Sequence, residues 1–210
     1  ITVLGLTDHD TVAGWSEAIA SIRGDFKIAL GAEISCLNED HKSIHMLGLL
    51  FDKDNQSLQE VLESSRDDRV PRMKKMVELM AKDGIKITFE EVLQHQPAGA
   101  TLGRPHLADA LVAKGIVKNR DEAFAELLNN SSKYYVSHVA PTPVEAIKLI
   151  REAGGVSVIA HPYASFRGQN LSVKDFLEMK NAGLNGIEVD HRDHSSDERL
   201  NLRGIASELD

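Results

Sequence analysis

Four side chains able to bind a metal recur along the chain in similar surroundings. His9 follows the apolar run Ile1–Leu6 within Thr7-Asp8-His9-Asp10-Thr11. Glu33 follows Gly31-Ala32, His45 lies inside the apolar stretch Ile44–Leu49, and His161 follows Val156–Ala160. Imidazole nitrogen combined with carboxylate oxygen suits zinc, iron or manganese, and a mixed set leaves coordination positions open to water. That is the pattern of a catalytic centre. Cys36 is the only cysteine, so neither a thiolate-rich structural zinc site nor an internal disulfide is available. Each residue has a plainer reading on its own. His45 alone would be a hydrogen-bonded core histidine, Glu33 a surface acid, and Asp8 and Asp10 turn or cap residues. The conjunction, with each group near the end of an apolar run, carries the metal reading.

A second group of residues suits anions. Arg66, Arg69 and Arg72 recur every three residues and so share a helix face. Arg104 stands between Gly103 and Pro105 at a helix start. A guanidinium fork matches phosphate through two parallel hydrogen bonds. For Arg66 and Arg72 a solvated face, partnered by Asp67 and Asp68, is the favoured reading. For Arg104 an anion role stands level with a structural one.

The elements that must position these groups alternate. Ile1–Leu6, Phe26–Cys36, Ser43–Phe51, Val156–Ala160 and Leu184–Val189 read as strands, and Asn38–Lys42 as a hairpin-like link. Val12–Ile22 reads as a helix capped by Asp10 or Thr11, with Trp15, Ala18, Ile19 and Ile22 on one face. An apolar stripe from Leu58 to Met80 is helical, ended or kinked at Pro71 and stopped at Gly84. Thr88–His95, with a Thr88/Glu91 capping box, Arg104–Lys114 and Asp121–Leu128 read as short helices. Thr142-Pro143 starts a helix that Gly154-Gly155 end, Val173–Asn181 is another, and a last one runs from Asp197. Strand–helix alternation predicts a parallel α/β sheet or barrel. Residues 66–138 read as a helical insertion between a first barrel part, 1–65, and a second, 139–210. On this reading His9, Glu33, His161, Glu188 and His191 fall at or beyond strand carboxyl ends, which converge on one face in such folds.

The 210 residues are 42% hydrophobic and 27% charged, a globular balance. A net charge of -8 argues against coating DNA or RNA, while leaving a nucleotide or an RNA end within reach of a few arginines. No apolar run spans a bilayer and no signal peptide is visible, so the expected location is the cytoplasm, with no membrane partner. The chain opens inside a strand and closes inside a helix, so both ends are expected to be truncated.

Read in order, Thr7–Thr11, Gly31–Ser35, Ile44–Gly48, Gly103-Arg104-Pro105-His106, Ile159-Ala160-His161-Pro162 and Gly186–Val189 resemble the polymerase-and-histidinol-phosphatase (PHP) family of metal-dependent phosphoesterases. The resemblance covers nearly the whole chain. It is strongest to the branch with a helical insertion, which holds nucleoside monophosphate and 3',5'-nucleoside bisphosphate phosphatases and a 5'-3' exoribonuclease. It implies a distorted (β/α)7 barrel with two or three divalent ions (Mn, Fe or Zn). His9, Glu33, His45 and His161 would be ligands, with Glu33 bridging two ions. Arg69 and Arg104 would bind substrate phosphate, and His191 and His194 would line the substrate side. Asp8 and His161 are the candidate catalytic residues, His161 as a proton source for the leaving alkoxide. The implied substrate is a small phosphorylated nucleotide, extending to short RNA 5' ends. The family's opening His-x-His and closing Asp-x-His motifs are not in this sequence, and His191-Arg192-Asp193-His194 comes one strand too early to be the latter. Truncation is the expected reason. The rival readings are a histidinol-phosphatase-type enzyme, a non-catalytic metal- or nucleotide-binding module, and, last, an amidohydrolase-type barrel.

Overall fold

The computed structural model describes residues 2–40, 42–164 and 170–209. Ile1, His41 and Asp210, expected in the first strand, the hairpin link and the final helix, lie outside them. The chain divides into two compact units, one built from residues 2–63, 140–164 and 170–209, the other from Ser64–Val139.

The first unit is α/β. Among the described residues its sheet has five strands, β1 (Val3–His9), β2 (Lys27–Leu37), β3 (Ser43–Leu49), β4 (Val156–Ile159) and β5 (Gly186–Ile187), in that spatial order. β1 with β2 and β4 with β5 are parallel, whereas β3 is antiparallel to both its neighbours. The sheet is therefore mixed, where strand–helix alternation predicted a parallel one. The reason is local: a parallel crossover needs a dozen or more residues, and the Asn38–Lys42 link is too short for one. Asn38 closes that link, its N–H donating to the Lys42 carbonyl at 3.1 Å and its side-chain oxygen accepting from Lys42 N at 2.8 Å.

Period-two alternation gives the sheet two different faces. Ala32, Ile34, Cys36, Ile44 and Met46 point to one side and are at most 2% exposed. They share a core with Ile147 and Ile150 of α7 (Pro143–Glu152), Phe176 and Met179 of α8 (Val173–Ala182), and Leu202 of α9 (Ser196–Leu209). Glu33, Ser35 and His45 point to the other side, where Ser35 and His45 are register partners. α7 begins with the expected Pro143 behind a Thr142/Glu145 capping box. It ends at Gly154, whose φ of +75° suits a residue without Cβ.

α1 (Trp15–Ser21) is shorter than its pattern, and neither proposed cap holds. Gly14 is the N-cap with no side-chain bond, Thr11 Oγ1 accepts from Ala13 N, and Asp10 is engaged elsewhere. Trp15 is buried, its Nε1 donating to the Gly31 carbonyl at 3.0 Å, but Ile19, expected on the same stripe, is 52% exposed.

The second unit consists of helices: the end of α2 (Gln56–Asp67), then α3 (Arg69–Lys82), α4 (Phe89–Leu93), α5 (Arg104–Ala113), α6 (Arg120–Ala123) and a π-helical turn, Phe124–Leu128. Its core is separate, with Met73, Met76, Met80, Leu107, Leu111 and Leu128 nearly or fully buried. Pro71 neither ends nor kinks a helix interior. The break comes at Asp68, and Pro71 is the third residue of α3, where an N–H would have no intrahelical acceptor. Arg72 departs from the solvated face expected of it. Its Nε donates to the Val136 carbonyl at 2.6 Å, its guanidinium lies 5.3 Å from the Tyr135 ring centroid, and burial lowers its pKa.

Candidate metal centre

Strand β1 ends on His9, which is in register with Glu33 of β2. Glu33 is not at a strand end, since β2 continues to Leu37. It stands beside His9, the last residue of β1, and its side chain projects to the sheet face opposite the Ala32 and Ile34 core. His45 is the third residue of β3. Because β3 runs antiparallel, its beginning lies level with the carboxyl ends of β1 and β4, and the Ala160 N–H after β4 donates to the His45 carbonyl at 3.0 Å. His161 follows β4 with φ +30°, a backbone form that non-glycine residues adopt only under constraint. The constraint is Glu188, just beyond β5, whose carboxylate accepts from the His161 N–H at 2.7 Å.

These four elements bring their side chains to one point. Glu33 Oε1 is 2.8 Å from His45 Nδ1 and 3.0 Å from His161 Nε2, and the two imidazole nitrogens are 3.3 Å apart. His9 Nε2 is 3.8 Å from Glu33 Oε2. One donor atom each from His9, Glu33 and His45 lie within 4.8 Å of one another. Donors bound at ~2.1 Å to a single four- or six-coordinate ion would be about 3.0–3.4 Å apart. Glu33, His45 and His161 are spaced close to that shell, whereas His9 stands farther off. The donors are nitrogen and carboxylate oxygen, as in catalytic centres. Cys36 is no competitor. It lies in the core on the other sheet face, where burial pushes its thiol pKa up.

The electrostatics favour a cation. Burial works against the Glu33 carboxylate, but the field of His45 and hydrogen bonds with His161 and His45 hold its pKa well below the usual carboxylate range. Burial pushes His45 down to about 4, so near neutral pH its imidazole is uncharged and keeps a lone pair. An ionised Glu33 beside a neutral His45 leaves a half-buried negative charge that a divalent ion would neutralise.

The other expected site residues separate. Asp8 is exposed and directed toward Gly14, on the opposite side of β1 from His9, so it is not part of the cluster. The His191 ring is 5.2 Å from that of His161, and its Nδ1 is 3.6 Å from Asp193 Oδ2. His194 is 3% exposed and committed to backbone: Nδ1 lies 2.9 Å from the Val189 carbonyl, and Nε2 accepts from Tyr163 N at 3.3 Å. Arg69 and Arg104 belong to the second unit. Arg69 Nη1 donates to the Leu102 carbonyl. Arg104 Nη1 donates to the Leu128 carbonyl at 2.7 Å and to Asn130 Oδ1 at 2.8 Å, with its guanidinium against the Phe124 and Tyr135 rings. These contacts fix the Arg104 guanidinium plane. Two contributors escaped the sequence reading. Glu188 was noticed only as a strand-end acid, and Asp10 only as a turn or cap. No pattern in the sequence distinguishes a carboxylate that holds backbone from one that caps a helix.

No family model matches the chain. It is 33% identical over 93% of its length to the 3',5'-nucleoside bisphosphate phosphatase of Chromobacterium violaceum, covering 69% of that protein. It is 31% identical over its full length to the 5'-3' exoribonuclease of Haemophilus influenzae, covering 76% of it. Among solved structures it superposes with TM-score 0.88 on a protein of Bifidobacterium adolescentis described as a metal-dependent phosphoesterase. The identity is 38%, covering all of this chain and 74% of that one. It superposes equally well on an amidohydrolase of C. violaceum with bound sulfate and no metal, at 30% identity and covering 99% and 73%.

Proposed function

The chain belongs to the PHP family of metal-dependent phosphoesterases, and on that premise we propose that it hydrolyses a phosphomonoester of a nucleotide at the cluster of His9, Glu33, His45 and His161. The observation that carries the proposal is the convergence of the three histidines within 3.8 Å of Glu33. Two or three divalent ions, Mn, Fe or Zn, are the proposed complement, which His9, Glu33, His45 and His161 would hold. When bound, they supply Lewis acidity to the phosphate oxygens and lower the pKa of water at the site.

The residues of the chain do the rest. Glu33, ionised and flanked by imidazoles, sets the negative centre of the site. His45 stays neutral and presents Nδ1. His161, its N–H held by Glu188, directs Nε2 at Glu33 and is a proposed ion ligand; its proposed role as proton source for the leaving alkoxide applies where Nε2 does not hold an ion. His191, oriented by Asp193, is the proposed substrate-side group next to it. Arg69 and Arg104 are proposed phosphate ligands, with the planar forks that equatorial phosphoryl oxygens require. Closure of the sheet into a distorted (β/α)7 barrel, residues 66–138 as an insertion, a cytoplasmic location and action on short RNA 5' ends are parts of the same proposal. No helix among the described residues is long and apolar enough to cross a membrane.

The test is phosphate release with Mn2+ from AMP, a 3',5'-bisphosphate nucleotide, a 5'-phosphorylated oligoribonucleotide and histidinol phosphate, beside a Glu33→Ala control. Metal-dependent release from a nucleotide, lost in the control, is the expected result. Release from histidinol phosphate alone would move the chain to the histidinol-phosphatase reading. Failure with every phosphoester by a metal-loaded protein would contradict hydrolysis and leave a metal-binding module.

A further inference from the structure

Asp10 is a fully buried acid that the reaction described above does not use. It follows His9 with φ +52°, a left-handed form that Asp and Asn tolerate better than most residues. Its N–H continues the β1–β2 ladder by donating to the Glu33 carbonyl at 3.0 Å. Its carboxylate then does what β1 no longer can. β1 ends at His9, but β2 runs on, and at Ser35 the backbone groups point to the β1 side, since the register partner His45 directs its own toward β4. Asp10 Oδ1 accepts from that Ser35 N–H at 2.7 Å, and Oδ2 accepts from the Ser35 hydroxyl at 2.9 Å. A buried carboxylate costs several kcal/mol unless its oxygens are satisfied, so a clamp of this kind persists only where its bonds are well formed.

The clamp touches the backbone of two metal-site donors and the register partner of a third. Asp10 is covalently next to His9, hydrogen-bonded to the Glu33 peptide, and bound to Ser35, which faces His45 across the β2–β3 pair. We infer that Asp10 is a positioning residue of the metal centre, which through Ser35 holds the β2 segment carrying Glu33 in register with His9 and His45. Residues that orient metal ligands without touching the metal typically change affinity about 10–100-fold when replaced. The inference rests on the reading of the cluster as a metal site.

The experiment is calorimetric titration of Mn2+ into the wild-type chain, Asp10→Asn, Ser35→Ala and Ile150→Val, at a temperature where all are folded by circular dichroism. Ile150→Val lowers stability from the core on the opposite face of the sheet and serves as the structural control. Asp10→Asn should keep the backbone form but weaken Mn2+ affinity about ten-fold or more, and Ser35→Ala several-fold, while Ile150→Val keeps wild-type affinity. Affinities of Asp10→Asn and Ser35→Ala within two-fold of wild type, or an equal loss in Ile150→Val, would overturn the positioning role. Should Asp10→Asn not fold, Ser35→Ala decides alone, since it deletes one oxygen and keeps the backbone bond. A wild-type chain that takes up no Mn2+ would overturn the metal reading itself and this inference with it.

Discussion

At the scale of the residue, the account turns on charge state. Glu33 must be ionised and His45 neutral for both to face a cation, and burial with neighbouring imidazoles gives that combination. Removing the carboxylate while keeping its shape should be severe: Glu33→Gln is expected to lower Mn2+ affinity at least 100-fold and to abolish phosphate release, with the far-ultraviolet circular dichroism unchanged. The same environment sets a pH dependence in the metal-free chain. An ordinary histidine titrates at 6.5, and folded His45 at about 4. As pH falls from 6.5 toward 4 the unfolded chain therefore binds a proton that the folded chain refuses, and stability drops. Glu33, lowered from 4.5, adds a further loss below that value, in the same direction. Urea midpoints between pH 7.5 and 4.5 should fall as the solution is acidified. His45→Asn should flatten the part of the curve between pH 6.5 and 5. His45 also shows what the sequence could say about a single residue. Its place in an apolar run made it a candidate, but nothing in Ser43–Leu49 reveals that the strand runs backwards, and that reversal is what brings its imidazole to the site.

At the scale of the element, close packing inside the sheet has consequences that can be measured. A Cβ on Gly31 would lie 2.3 Å from the Gly48 carbonyl oxygen and 2.8 Å from a Leu49 methyl, with backbone as the obstacle. Gly31→Ala should destabilise the protein by roughly 1–3 kcal/mol and weaken metal binding, because Glu33 is two residues further along the same strand. Gly5→Ala, on β1 with nothing within 4 Å of the new carbon, should change stability far less. Comparative thermal melts of the two variants check this. Elements with local signals were legible beforehand. The Thr88/Glu91 box, the Thr142-Pro143 start and the helix end at Gly154 all stand where their residues place them. Signals that depend on distant partners were not. Ile19 belongs to a helical stripe but faces solvent, and Asp10 forgoes capping α1 because Ser35, 25 residues away, offers its carboxylate better partners.

At the scale of the whole molecule, four donors separated by up to 152 residues in sequence assemble only when β1, β2, β3 and β4 pair, so metal binding is linked to folding of the first unit. An ion that binds the folded chain alone adds RT ln(1 + [L]/Kd), or ~2.7 kcal/mol at one hundred times Kd. Mn2+ should therefore raise the melting temperature by several degrees and EDTA should reverse the rise, while Glu33→Gln should show neither effect. The net charge of -8 acts in the same global way, since repulsion works against coating a polyanion. The ordered series of short motifs made the family legible, and the hairpin-like Asn38–Lys42 link pointed to the β2–β3 reversal although strand–helix alternation favoured a parallel sheet. Motif order depends on the chain alone, whereas strand direction depends on connections whose lengths, such as Asn38–Lys42, have to be weighed against geometry.

The most direct test of the central claim is anomalous diffraction from crystals grown with Mn2+. The account predicts a peak about 2.0–2.3 Å from Glu33 and from imidazole nitrogens of His9, His45 or His161. A metal-saturated crystal with no peak at this cluster, or with its peak elsewhere in the chain, would contradict it.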